Sequence, residues 1–518
     1  MRAIVIGSTK HFLFALGYGL LGILAAALFG AVWTLNDRPE LEPWHTTKLN
    51  NEYHQQLGFI GFDEYLHLEQ RLFSELNSLT QAWTFEQTHF NSAINRYDSQ
   101  SLSSPDRASI NWNRSYEWKN EHAEFGVILV HGMSDSPYAL SHFAEHLKPK
   151  AHVLGLRLPG HGTLPSGLTS ITWPDLASAV NLATKHMKQQ LNGKPLYVIG
   201  FSTGAALALN HELENIDQGK DTDYQAMVML SPAIGLKPIA AFAKWQASLG
   251  QVLGQDKLMW NSIENEYDPY KYQSFAVNAG DVVYQLSLRN QQLLKGFSAD
   301  QKAALPQTLA FQSVVDDTVS TQAVIEHLYL ELSNANNNIQ GEGATQIQHE
   351  LVLFDVNRAR GYQQWLLYDP LTTLNSLMYG QVEGLNVALQ APLNFQLTIV
   401  ENTRNLENPR VFYSKVQARQ VSTLNPKVDK VQTLDLSWPR GVHSLSHVSL
   451  PYPADDAVYG VKKFSDEDLI DSAEINIGGH IHLGERGIFS IPAEDMLRQK
   501  WNPFYDYMLS RIDELVAQ

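Results

Sequence analysis

The stretch PLYVIGFSTGAALALN, residues 195–210, places one serine, Ser202, between two glycines directly after an apolar run. The run LYVI reads as a buried strand, and TGAALALNHEL after it reads as a helix. A serine at such a junction stands on a bend too tight for larger neighbours, and Gly200 and Gly204 make room for it. Ala205 and Ala206 let the helix approach the sheet. A serine hydroxyl is a poor nucleophile at neutral pH, so a reactive one must be exposed where a base can take its proton. The plainer alternative is a strand-to-helix turn without chemistry.

Outward from this bend the chain alternates short apolar runs with helical ones. FGVILVHG (125–132), AHVLGL (151–156), YQAMVML (224–230), TLAFQSVV (308–315) and HELVLFDV (349–356) read as strands. SPYALSHFAEHL, WPDLASAVNLATKHMKQQL and TQAVIEHLYLEL between them read as helices. The alternation predicts an α/β fold with a mostly parallel central sheet and helices on both faces. Residues 35–114 read as a connector and a helical arm, with Phe62, Leu66, Phe73 and Leu76 near one face. Residues 115–518 form the main domain, interrupted by an aromatic-rich, mainly helical cap insertion at about 235–300 and a second insertion at about 358–430. Tyr505, Met508, Ile512 and Leu515 mark the face of a closing helix.

An acyl-transfer serine needs a histidine as base and an acid to orient it, the acid ending a later strand. LAFQSVVDDTVS supplies Asp316, with Asp317 as the alternative; GVHSLSHVSLP supplies His447, with His443 as the alternative. The order Ser, Asp, His is the one expected for this sheet architecture. The oxyanion that appears on attack needs two aimed donors, and the backbone N–H groups of Thr203 and of Met133, in VHGMSDSP, would supply them. His131 and His161 read as structural, and Asp455 and Asp456 as turn or surface residues. His480 and His482 share one side of a strand without an obvious third metal ligand.

VILVHGMSDSP, RLPGHGTLPSGL, VIGFSTGAAL and SVVDDTV, taken in order, resemble the α/β-hydrolase family, in particular its bacterial carboxylesterase and monoacylglycerol-lipase-like branch. The resemblance covers roughly 120–320 and resumes near 430–455. It implies Ser202 as nucleophile, Asp316 as acid and Met133 as an oxyanion donor, acting on ester substrates with no metal or organic cofactor. Ser313 stands where the family often has glycine, and the segment between acid and histidine is long. In the cap, Phe242, Trp245, Leu253, Met259 and Trp260 suit an apolar acyl pocket, which favours a lipophilic ester; packing of the cap's own core is the alternative. An acyltransferase would use the same residues with an alcohol in place of water. A noncatalytic membrane-tethered module on a hydrolase scaffold is the reading from another class.

With 18% charged and 44% hydrophobic residues the chain of 518 is a globular one, and its net charge of −16 argues against a nucleic-acid partner. The absence of cysteine removes disulfides and thiolate chemistry. Phe12 to Trp33 runs 22 residues without a charge, long enough as a helix to match a bilayer core, so residues 1–34 are expected to form an N-terminal membrane anchor. Arg2 and Lys10 before it and Asp37, Arg38, Glu40 and Glu42 after it favour a cytoplasmic N-terminus and a catalytic domain on the extracytoplasmic, periplasmic side. A cleaved signal peptide is the rival.

Overall fold

The run Phe125–Val130 carries no polar side chain, so as a strand it is stable only with both of its faces covered. The computed structural model describes residues 14–23, 26, 30, 37–58, 61–83, 94–235, 256–314, 316, 318–336, 349–355, 395–403, 415–421, 430–434, 447–460, 482–483, 497–498 and 500–517. In it this run is β2 of a ten-stranded sheet. The other strands, in chain order, are β1 (Tyr116–Trp118), β3 (Ala151–Leu156), β4 (Leu196–Phe201), β5 (Ala226–Leu230), β8 (Gln307–Ser313), β9 (Glu350–Asp355), β10 (Gln396–Thr403), β11 (Lys415–Val421) and β12 (Lys430–Leu434). A separate ribbon joins β6 (Trp260–Ser262) to β7 (Phe275–Ala276).

The order across the sheet is β1-β3-β2-β4-β5-β8-β9-β10-β11-β12. Pairing is parallel from β3 to β10 and antiparallel at both margins. Side chains alternate between two cores. Ile128, Val130 and Val198 point to one, where helices Trp173–Leu191, Thr203–Asp217 and Val277–Gly296 contribute Leu176, Leu209 and Leu286. Val127, Leu129 and Ile199 point to the other, closed by Phe143 of helix Ser141–Leu147 and by Met508 and Ile512 of helix Tyr505–Val516.

Two segments differ from the reading of the sequence. β10 and β11 lie inside the stretch expected to be a second insertion, yet they extend the main sheet. In β11 the alternation of KVQARQV, with Val416 and Ala418 buried, is that of an antiparallel strand covered on one face, a weaker signal than an all-apolar run. β10, by contrast, pairs in parallel with β9 and buries Leu397, Thr398, Ile399 and Val400 in succession. Helix Val277–Gly296, inside the expected cap, packs on the sheet-covering helix Thr203–Asp217 instead; Asn290 Nδ2 donates to the Ala206 carbonyl at 2.8 Å. Phe242, Trp245 and Leu253 lie outside the described residues.

The arm helix, Phe62–Gln81, packs on the main domain through Phe62, Tyr65, Leu72, Phe73 and Leu76. Arg157, 1% exposed just after β3, locks it there: its guanidinium meets Glu52 at 2.9 Å and Glu69 at 3.1 Å and donates to the His161 carbonyl at 2.9 Å. These carboxylates hold the guanidinium pKa well above its ordinary value against the opposing effect of burial. Residues 14–23 are helical with exposed apolar side chains, but ten residues rise only about 15 Å. Among the described residues no helix is long and apolar enough to cross a membrane. Apart from residues 26 and 30, the rest of the expected span lies outside them.

The close approach of helix Thr203–Asp217 to β2 depends on Gly204, where an added Cβ would collide with the carbonyl oxygens of Val130 and His131. Backbone cannot yield as a flexible side chain can. Gly204→Ala is therefore expected to destabilise the fold by about 3 kcal/mol or more, read as a lowered midpoint in chemical denaturation.

Candidate active site

Parallel strands deliver their following residues to one edge of the sheet, and the candidate residues converge there. Ser202 directly follows β4 at φ 54°, ψ −113°, a left-handed conformation that a serine adopts only when its surroundings impose it. What imposes it is visible on both sides. Ser202 N–H donates to the Leu230 carbonyl at 2.8 Å, while its own carbonyl accepts from Ala206 and Ala233 at 3.2 Å each. A Cβ on Gly200 would lie 2.5 Å from the Ala205 backbone. The side chain of Ser202 is 8% exposed, and its hydroxyl has no hydrogen-bond partner among the described residues.

Asp316 lies just beyond β8. Its Oδ1 accepts from the Thr318 and Val319 amides at 3.0 and 2.9 Å, and its Oδ2 from Gln312 Nε2 at 3.0 Å. His447 Nδ1 stands 3.2 Å from the same Oδ2. A proton on Nδ1 donated to Asp316 leaves Nε2 as the basic nitrogen. The imidazole stacks on Phe201, the residue before Ser202, with ring centroids 5.0 Å apart. Asp317 and His443, the alternatives, lie outside the described residues.

Met133 is 8% exposed and Thr203 is fully buried at the first turn of its helix. Neither amide has a partner among the described residues, so both N–H groups are free to meet a developing oxyanion. His131 is structural: its Nδ1–H donates to the Gly132 carbonyl at 2.8 Å, and its Nε2 accepts from the Leu158 amide at 3.1 Å. Burial, followed by the neighbouring His161, holds its pKa well below the ordinary value. His161 is likewise buried, bonded to the Pro159 carbonyl at 2.8 Å and lowered by burial to about 4. Neither is placed to act as a base at neutral pH.

Asp456 is not a surface residue. It is fully buried, capping a turn through the amides of Val458 and Tyr459 at 2.8 and 2.6 Å and accepting from Tyr138 Oη and His142 Nε2 at 3.1 and 2.7 Å. Asp455 beside it is exposed. Trp260 is 1% exposed and packs edge-on to His45 at 4.9 Å, and Met259 packs against the main core, so these two belong to packing rather than to an acyl pocket. His480 lies outside the described residues, and among those described no group of three or more His, Asp or Glu is arranged for a metal. Sequence reasoning missed Asp135 and Lys271, which meet at 2.5 Å beside Gly132. The aspartate inside VHGMSDSP was the available signal.

A serine forced onto a strand-to-helix bend at the edge of a mostly parallel sheet, with an aspartate and a histidine paired on later loops, defines the α/β-hydrolase class of architecture. Residues 127–328 match the alpha/beta hydrolase family, whose fold this part of the chain shares. Over 90 residues it is 31% identical to a thermostable monoacylglycerol lipase of Bacillus sp. strain H-257, a match covering 17% of this chain. The chain spans about a third, 35%, of that relative's length. Among solved structures, it is similar to a monoacylglycerol lipase of Paleococcus ferrophilus, with 16% identity and TM-score 0.32 over 43% of this chain and 83% of that one. It is also similar to an esterase of Pyrococcus furiosus, with 18% identity and TM-score 0.30 over 50% and 89% of the two chains.

The segment that carries Lys271 is anchored by a fully buried carboxylate. Glu266 accepts from the Gln273 and Ser274 amides at 3.1 and 2.9 Å, and burial, only partly offset by Arg96, raises its pKa to about 7. Between the unfolded value near 4.5 and about 7 the folded chain keeps a proton that the unfolded chain has lost, so stability falls as pH rises through this window. Glu266→Gln is expected to remove roughly 2–3 kcal/mol of that fall, measured as unfolding free energy from pH 4.5 to 8 against the parent chain.

Proposed function

We propose that the protein is a serine hydrolase that cleaves carboxylic esters through an acyl-enzyme on Ser202. The observation that carries this reading is the 3.2 Å contact of His447 with Asp316, made where Phe201 stacks on the imidazole and Ser202 follows on its bend. Ser202 Oγ attacks the ester carbonyl as His447 takes its proton; the Met133 and Thr203 amides receive the oxyanion, and His447 returns the proton to the departing alcohol. Water repeats the sequence on the acyl-enzyme. Asp316, with three other donors fixing its carboxylate, holds the imidazole in one tautomer and stabilises the imidazolium.

The lipophilic nature of the ester is supported by the similarity to a thermostable monoacylglycerol lipase. The exposed apolar side chains of residues 14–23, including Phe14, Leu16, Leu20, Leu21 and Ile23, support attachment to a membrane through the N-terminal segment, with the hydrolase domain on the extracytoplasmic side.

Fluorophosphonate treatment followed by peptide mass mapping is expected to label Ser202, and p-nitrophenyl esters are expected to be cleaved faster as the acyl chain lengthens. Ser202→Ala or His447→Ala should lower kcat by roughly 10⁴-fold or more with the fold retained; labelling at another residue, or full activity in either variant, refutes the assignment. On fractionation of expressing cells the full chain should sediment with membranes and resist extraction by high salt, and removal of residues 1–34 should release it; an intact chain found wholly in the soluble fraction refutes the anchoring.

A further inference from the structure

The loop that supplies Met133 also carries Asp135, a residue the proposed acyl transfer does not use. Asp135 is 3% exposed, and its Oδ1 accepts from Lys271 Nζ at 2.5 Å. Its Oδ2 lies 2.6 Å from the point a Cβ on Gly132 would occupy, and the Ser202 Cβ lies 3.2 Å from that same point. The carboxylate, the Phe201 ring and the serine thus border the same small space beside Gly132. A negative charge so placed acts in two opposed ways: it favours the imidazolium on His447 and it repels the oxyanion that forms beside Ser202.

Lys271 is built to answer that charge. Its amide donates to Asp268 Oδ1 at 3.1 Å, and the next amide, of Tyr272, donates to the Ser134 carbonyl at 2.8 Å, so the segment is fastened to the same loop. Ser134 itself sits at φ 66°, a conformation that needs such support. The ammonium is 22% exposed and the carboxylate 4%, so screening by water is weak at the aspartate. Burial pushes the Asp135 carboxyl above its ordinary range, and Lys271 opposes that shift.

We propose that Asp135 and Lys271 form a compensated charge pair that positions the electrostatic balance at Ser202 and His447, the carboxylate supporting the imidazolium and the ammonium cancelling its repulsion of the oxyanion. The proposal rests on the reading of Ser202 as nucleophile and His447 as base. Both members act through those residues and are positioning residues. Among the described residues, Asp316 is bonded to the histidine and Asp135 acts on it through space; Lys271, His447, Asp268 and the Tyr452 hydroxyl act on Asp135. Asp316, Asp268 and Tyr452 are unchanged in the variants below, so differences report the pair.

The test is the rate of fluorophosphonate labelling of the full chain as a function of pH, with the fold of each variant checked by circular dichroism. Lys271→Met leaves the carboxylate uncompensated and is expected to slow labelling about tenfold and move the acid limb of the profile up by about one pH unit. Asp135→Asn leaves the ammonium alone and should move the limb down by a similar amount, and the double variant should return it to the parent position. Lys271→Arg keeps the charge and should keep the limb. Limbs unmoved in both charge-removing variants, or displaced equally in Lys271→Arg, overturn the proposal and leave a purely structural ion pair. If Lys271→Met or Asp135→Asn fails to fold, the double variant decides: a limb away from the parent position overturns the proposal. A parent chain that reacts elsewhere than Ser202 overturns the nucleophile assignment itself, which separates the two failures.

Discussion

The structure depends on how closely helix Thr203–Asp217 is drawn against the central strands. Gly204 touches the backbone of β2 with no atom to spare, and Gly200 is equally tight against Ala205. The chain can therefore pass from β4 into the helix only through a single strained residue, and that residue is Ser202. The strain is held by packing on both sides of the sheet, where fully buried Leu, Val and Phe side chains each contribute about 1.5–3 kcal/mol relative to exposure. Against cores of that size, the one or two kcal/mol of an unfavourable backbone conformation is easily sustained.

Around this bend the fold places charges that are buried only in company. Arg157 joins Glu52 and Glu69 of the N-terminal arm to the loop that contains His161. Glu266 accepts two amides of the segment that brings Lys271 to Asp135. Such pairs add little net stability over apolar residues of the same shape, but removing one partner leaves an uncompensated charge, so they fix which loops meet. The arm, remote in sequence, is thereby tied to the loop after β3.

Much of this was legible in the sequence because apolar periodicity reports burial directly. The buried, largely apolar strands β2 to β5, β8 and β9 stand where the pattern put them, as does the buried face of helix Tyr505–Val516. The glycine spacing around Ser202 had a steric cause and could be read for the same reason. The stretch holding β10 and β11 shows only weak strand patterns in the sequence: β11, with one solvated face, carries half the apolar signal, and the apolar residues of β10 are interrupted by Thr398 and Glu401. Val277–Gly296 reads as part of a cap because a helix that covers a sheet has the same periodicity as one that covers a site. The partnership of Asp135 with Lys271 was beyond reach, since it joins residues 136 positions apart through a tertiary contact with no local pattern. Asp456 misled for a related reason: next to Pro453 and Asp455 it reads as a turn, which it caps, but its burial comes from Tyr138 and His142 on a distant helical segment.

The three candidate residues are held by different means, and the difference has a chemical consequence. Ser202 is fixed by backbone geometry, with no side-chain bond to its hydroxyl among the described residues, so the oxygen is less restrained than its neighbours. Asp316 is fixed by hydrogen bonds: two backbone amides, Gln312 and His447 converge on it, which commits both oxygens as acceptors and leaves none free to turn away. His447 is bonded at Nδ1 to Asp316 and stacked on Phe201, so its ring is restrained in tilt and in tautomer. A fixed carboxylate, an oriented imidazole and a less restrained hydroxyl form the gradient of freedom that the proposed proton transfer would require, because reorganisation would then be confined to the one atom that must form a new bond.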